Sequence, residues 1–357
     1  MINALRIALV ALAWLLAQPA SAQSRLFTDD APLEIVITGP FRELVRTAPR
    51  AAPQPYPASL SVREGSAAAQ SFPIQVQARG VSRRTLGFCQ FPPLFLDFDK
   101  AVTRETVFRG QGKLKLVTFC RDRDDYEQRI LIEALAYRLY NALTPQSFGV
   151  RLARVTYRNN AEDLGVTRYG YLIEDIEDVA RRVDRRELKL ATRQITPAQL
   201  DAPATARVAL FEYMISNVDF DYVASAPGRD CCHNIRLMAA KDTATALSGA
   251  VPVPYDFDHS GLVDAPYALP QAALKLRSVT QRLYRGYCAT NAEIAPLIAA
   301  FQARRADLMA LIAGEPRLTE ASRTKTAKFV DSFYEVIADP ARVESQILKR
   351  CRLGREG

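Results

Sequence analysis

Pro254-Tyr255-Asp256-Phe257-Asp258-His259-Ser260-Gly261 is the stretch on which the reading of this chain turns. Two carboxylates flank a phenylalanine, a histidine follows, and Ser-Gly marks a turn. An apolar run, Val251 to Val253, leads into it and reads as a short buried strand. Upstream, Asn217-Val218-Asp219-Phe220-Asp221 and Cys231-Cys232-His233-Asn234 share its polar character, and His233 and His259 are the only histidines of the chain. A helix starting at Asp201-Ala202-Pro203 feeds the first of these pieces, with Val208, Phe211, Met214 and Ile215 on one apolar face. A strand at Ile235 to Met238 follows the second. The polar residues therefore stand where regular elements end, which is where a scaffold presents a site. Carboxylates with an asparagine and a histidine suit a hard divalent cation and general-base chemistry.

Working outward, 357 residues at 48% apolar content allow one large or two medium domains. From Leu33 to Asp99 the pattern is that of strands: Leu33 to Ile37, Ala58 to Val62, Pro73 to Ala78 and Leu94 to Phe98. The turn Arg79-Gly80-Val81-Ser82-Arg83-Arg84 is small and basic, suited either to a hairpin connection or to a phosphate. Gly112 to Phe119 alternates lysine and leucine, so Lys113 and Lys115 share the polar face of a strand. A helix is predicted from Tyr126 to Leu143, with Leu131, Leu135 and Leu139 buried and Glu133 in its middle. Strands at Arg151 to Tyr157 and Gly170 to Ile173 lead to an acidic link, Glu174 to Asp178, and beyond Pro270 the pattern is helical.

The N-terminus has its own logic. Arg6, the apolar run Ile7 to Ala17 and the small-x-small Ala20-Ser21-Ala22 form a secretory signal, expected to be cut after Ala22. The run is too short for a membrane anchor, and no later segment is long and apolar enough to span. Export, periplasmic or beyond, makes the six cysteines candidates for disulfides. A zinc site is disfavoured because the chain contains no Cys-x-x-Cys. Cys89 and Cys120 both lie at strand ends, so a Cys89–Cys120 bond is expected, with a second from Cys231 or Cys232 to Cys288. The formal charge of +8 is a mild excess for this length and gives no argument for nucleic acid. The tract Arg181 to Arg186 is its densest basic cluster, either a solvated face or a hold for an acidic partner.

The order of elements, with Ala58 to Val62, Val76 to Gly80, Leu135 to Leu143, Tyr171 to Asp175 and Asp219 to Asp258, resembles the CotH-type (spore-coat protein H-like) atypical kinase family. The resemblance implies an α+β, bilobal protein-kinase-like fold. Residues 23–173 would be a β-rich N-lobe, 174–178 a hinge, and 179–357 a helical C-lobe with the site. It further implies Asp219 as the catalytic residue, and Asn234 and Asp256 as ligands of Mg2+ or Mn2+. Asp258 is then either a second metal ligand or a cap of its own turn. Lys113 or Lys115 would bind the phosphates of ATP, Glu133 would pair with that lysine, and Glu174 would lie at the nucleotide, with Arg79, Gly80 and Ser82 in the phosphate turn. The function so implied is ATP- and metal-dependent transfer to a protein or envelope acceptor. A non-catalytic binding module of the cell envelope is the alternative. A third reading is a metal-dependent hydrolase built on Asp256, Asp258, His233 and His259.

Overall fold

The computed structural model describes residues 24–49, 52–84, 87–160, 162–190, 195–225, 231–241 and 248–354. The expected signal segment lies outside the described residues. Seven strands form early in the chain: β1 (Leu33–Gly39), β2 (Pro55–Arg63), β3 (Gln70–Ala78), β4 (Leu94–Phe98), β5 (Lys113–Val117), β6 (Val150–Asn159) and β7 (Glu162–Ile173). Their alternation is the reason they form. In β1, Leu33, Ile35 and Ile37 are buried while the residues between them are not, and β4 repeats this with Leu94, Leu96 and Phe98. These side chains fill one core with Val76, Leu114, Leu116, Val155 and Tyr157.

The strands close in the order β1-β2-β3-β4-β5-β7-β6. Closure comes from β1 pairing with β6 in parallel, Leu33 opposite Ala153 through Gly39 opposite Asn159, while every other pairing in the barrel is antiparallel. This overturns the bilobal protein-kinase-like fold. The architecture is a closed mixed barrel, a separate three-stranded sheet and seven helices among the described residues. The physical reason lies in the long β6–β7 hairpin. It returns β6 to the free edge of β1, and closure removes the edges an open sheet would leave. Strand positions were readable from alternation, but the partner of each edge was not.

The helices are α1 (Phe41–Thr47), α2 (Asp124–Asn141), α3 (Ile176–Arg182), α4 (Ala202–Met214), α5 (Ile294–Ala313), α6 (Glu320–Ile337) and α7 (Pro340–Gln346). The small sheet runs β10-β9-β8, with β8 (Arg185–Glu187), β9 (Ile235–Ala240) and β10 (Val251–Pro254). Asp201 caps α4 by accepting from the Ala204 N–H at 2.9 Å, as the Asp-Ala-Pro start signal predicts. Helix α2 is buried nearly all round, and Leu131, Leu135 and Leu139 share the second core with α4 residues Val208, Leu210 and Phe211. It thus joins the barrel wall to the helical layer. Among the described residues no helix is long and apolar enough to cross a membrane.

All six cysteines are paired. The expected Cys89–Cys120 bond is present, with Cα atoms 4.5 Å apart. The expected link from Cys231 or Cys232 to Cys288 is not. Cys231 bonds Cys232, and Cys288 bonds Cys351. The C-terminal segment runs beside Tyr287, where the Cys288 N–H donates to Arg352 O at 3.0 Å and the Arg352 N–H to Gly286 O at 2.8 Å. That register presents Cys351 to Cys288. Replacing Cys89 and Cys120 by serine opens a crosslink across 31 residues. It should destabilise the fold by about 3–4 kcal/mol, seen as a lower denaturant midpoint that reductant no longer shifts at this bond.

Candidate metal and phosphate site

Three carboxylates from two distant segments converge: one oxygen each of Glu133, Asp256 and Asp258 lies within 4.8 Å of the others. Glu133 comes from the middle of α2 and is 1% exposed, and Asp258 is 5% exposed. Phe257, fully buried between Tyr137 and Phe211, pins the Asp-Phe-Asp turn to α2 and α4, with ring centroids 4.6 and 5.5 Å away. Tyr137 lies one helical turn beyond Glu133 on the same face. Its hydroxyl accepts the Asp256 N–H at 2.8 Å. Asp256 sits in the left-handed region at φ 68°, where aspartate is tolerated better than most side chains. One helix face therefore fixes both the backbone and the carboxylate partner of Asp256. Tyr137→Phe leaves that N–H without its acceptor. It should cost about 1–3 kcal/mol in thermal denaturation and weaken Mn2+ binding in titration.

Burial, and then the charges of Asp258 and Asp256, hold the Glu133 carboxyl well above the usual range, with Arg83 opposing. Burial and Asp256 likewise raise Asp258, against His259, Arg83 and the Tyr267 hydroxyl, which donates to Asp258 Oδ2 at 3.1 Å. Arg83 is itself buried, and its guanidinium donates to Thr118 O at 2.6 Å. Burial pulls Arg83 down, but Tyr267, Asp258, Glu133 and Tyr171 more than reverse this and leave it raised. Arg83 thus acts on two of the three carboxylates, Glu133 and Asp258. Such a donor set fits a hard divalent cation, whose oxygen ligands stand up to about 4.2 Å apart around Mg2+ and about 5 Å around Ca2+. The residues Glu133, Asp256 and Asp258 would hold it.

The outer face of the barrel meets the segment that carries Asp256 at Tyr255. Leu114 and Leu116 point into the barrel core, so Lys113 and Lys115 point out, as the alternation predicts. The two diverge in use. Lys113 is exposed, donates to Gln77 Oε1 at 2.8 Å and lies 4.6 Å from the Phe95 ring centroid. Lys115 is half-buried, with its ammonium 4.7 Å from the Tyr255 ring and 5.9 Å from that of Phe148. Burial lowers its pKa to about 8, helped by Arg79 and Arg236 and opposed by Asp256 and Asp175. Lys115 therefore feels the like charges of Arg79 and Arg236 more than the opposite charges of Asp256 and Asp175. Arg79 also lies over the Phe95 ring at 5.7 Å.

Asp219 lines a small pocket with Val218, His259, Leu269, Gln271 and Val279. Its Oδ1 contacts His233 Nε2 at 3.0 Å and accepts from Gln271 Nε2 at 3.2 Å, while the Asn234 amide donates to its backbone oxygen at 2.7 Å and to Oδ2 at 3.2 Å. Burial raises its pKa, yet His233, His259 and Gln271 bring it below the ordinary value. Asn234 O accepts the Tyr255 N–H at 3.1 Å, which ties the Asp219 segment to the Asp256 turn.

The other expected residues fall as follows. Asn234 is turned to Asp219 rather than to the carboxylate group, and Glu133 joins that group instead of pairing with a lysine. Asp258 faces the carboxylates and Tyr267, with no bond to the backbone of its own turn among the described residues. Glu174 is buried, accepts the Gly149 N–H at 2.8 Å and pairs with Arg182 at 3.1 Å, so its carboxylate is taken up in structure. Gly80, at φ 80°, and Ser82 stand on an exposed turn, and Arg84 donates to Gly80 O at 2.5 Å. His233 serves Asp219, and His259 packs on Tyr267 at 5.8 Å between ring centroids. Sequence reasoning named Arg83 only as part of a basic turn suited to a hairpin or a phosphate, and it gave no role to Tyr137, Tyr267 or Gln271. Only Tyr137 carried a signal, its spacing of four from Glu133. Comparison with protein-family models and with curated proteins finds no match.

Proposed function

We propose that this protein acts outside the cytoplasm, after removal of its signal segment, as a divalent-metal-dependent transferase that moves a phosphoryl or related group from ATP to a protein or envelope acceptor. The reading takes site residues, not a fold, from the CotH-type resemblance. The observation that carries it is the convergence of Glu133, Asp256 and Asp258 beside a lysine, Lys115, whose ammonium lies 4.7 Å from the ring of Tyr255, the residue before Asp256. Phosphoryl transfer asks a protein mainly for positioning and charge neutralisation. A bound Mg2+ or Mn2+ would neutralise phosphate charge on the carboxylate side. Lys115 and Arg79 hold the phosphate chain from the barrel side, and Tyr255 and Phe148 keep bulk water from the lysine. Asp219, ionised and already satisfied by three hydrogen-bonding side chains, orients the acceptor hydroxyl rather than acting as a strong base.

The test is label transfer from γ-labelled ATP, with Mg2+ or Mn2+, to the chain itself or to envelope extracts. Label should appear, and Asp219→Asn should reduce it by about 100-fold while nucleotide binding persists. Nucleotide binding without any transfer would favour the binding-module reading instead.

A further inference from the structure

A second charged feature lies apart from the carboxylate group and is absorbed by no step above. Between α3 and β8 runs an open groove of about 460 Å3, lined among others by Glu177, Arg181, Arg185, Arg186, Glu187 and Lys189. Its acids are already matched: Lys189 reaches Glu177 at 2.8 Å and Glu187 at 3.3 Å, and Arg236 reaches Glu187 at 3.4 Å. Arg181 pairs with Asp178 at 2.7 Å. Among the described residues the Arg185 side chain has no ion pair or hydrogen-bond partner, and the lining carries more cationic than anionic groups. The groove thus offers a net positive charge.

Two further observations set the kind of ligand. First, β8 is the outer strand of its sheet. Leu188 donates its N–H to Leu237 O at 2.8 Å, so by the alternation of antiparallel pairing Arg185 and Glu187 turn their backbone groups to the open edge. An edge of this kind accepts an extended peptide. Second, Arg236 on β9 reaches Glu187 at 3.4 Å and adds a further cation beside the groove.

The geometry points to a docking groove for an acidic, extended peptide segment, laid along β8 with its carboxylates on Arg185, Arg186 and Arg181. That this peptide belongs to the acceptor rests on the transferase reading; that it docks here does not.

The experiment is fluorescence anisotropy with a labelled Glu/Asp-rich dodecapeptide, run in EDTA without nucleotide. A neutral peptide of equal length, inorganic phosphate and anionic phospholipid vesicles serve as competitors. The acidic peptide should bind, weaken with rising salt, and resist the phosphate and vesicles. The double variant Arg185→Glu/Arg186→Glu should bind it at least about tenfold more weakly and still take up ATP with Mn2+ as the wild type does. Arg185→Ala/Arg186→Ala, with a thermal melt of each variant, separates lost charge from lost folding. Equal binding of acidic and neutral peptides, unchanged binding in both variants, or displacement by vesicles or phosphate would each overturn the assignment. A wild type that binds the peptide but no metal–nucleotide would leave the groove standing and remove the transferase reading.

Discussion

Asp256→Asn is expected to abolish metal-dependent nucleotide binding while leaving the protein folded. Asparagine keeps the shape of the side chain, and the backbone N–H of residue 256 still meets the Tyr137 hydroxyl. What goes is one anionic ligand of three. Partners that only orient metal ligands are worth about 10–100-fold in affinity, so loss of a ligand itself should exceed about 100-fold. Metal-free stability should not fall, because the substitution removes a charge that repels Glu133 and Asp258. Isothermal titration with Mn2+ and ATP, beside a thermal melt in EDTA, checks both halves. A variant that binds Mn2+ and ATP as the wild type does would remove Asp256 from the site.

Lys115→Met should likewise remove nucleotide binding, but here the metal-free protein should become more stable. The lysine titrates near pH 8 in the fold against 10.5 ordinarily, chiefly through burial. Above pH 10.5 it is neutral in both states and carries no penalty. As pH falls from 10.5 to 8 the unfolded chain takes up a proton that the folded chain resists, so the penalty grows, and below 8 it is constant. The full shift corresponds to about 3 kcal/mol, and residual solvent contact of this half-buried side chain brings it to roughly 2 kcal/mol. Methionine fills the same space against Tyr255 and Phe148 without the charge. Its stabilisation should be present at pH 7 and vanish toward pH 11 in denaturant titrations. A variant less stable at pH 7, with nucleotide binding intact, would mean the lysine serves packing alone.

Much of this site was legible from residue spacing. The Asp-Phe-Asp stretch and the lysine strand announced themselves, because turn residues mark where elements end and alternation reports which side a residue faces. The same signals do not report what stands opposite. Glu133 reads in isolation as an exposed helix residue, and only the turn pinned by Phe257 makes it part of a carboxylate group. Barrel closure escaped for a related reason: nothing in β1 marks β6 as its parallel neighbour, with Leu33 paired to Ala153 and Gly39 to Asn159, each 120 residues apart. Cysteine pairing divides along this line. Cys89 and Cys120 flank adjacent strands, whereas Cys288 meets Cys351 only through the path of the C-terminal segment.

The most direct test of the central claim is a calorimetric titration of the wild-type protein with ATP, in the presence and absence of Mg2+ or Mn2+. Saturable binding that requires the metal and disappears on metal chelation is the expected result. Heat of binding identical with and without metal, or no binding under either condition, would contradict the assignment of Glu133, Asp256, Asp258 and Lys115 to a metal–phosphate site.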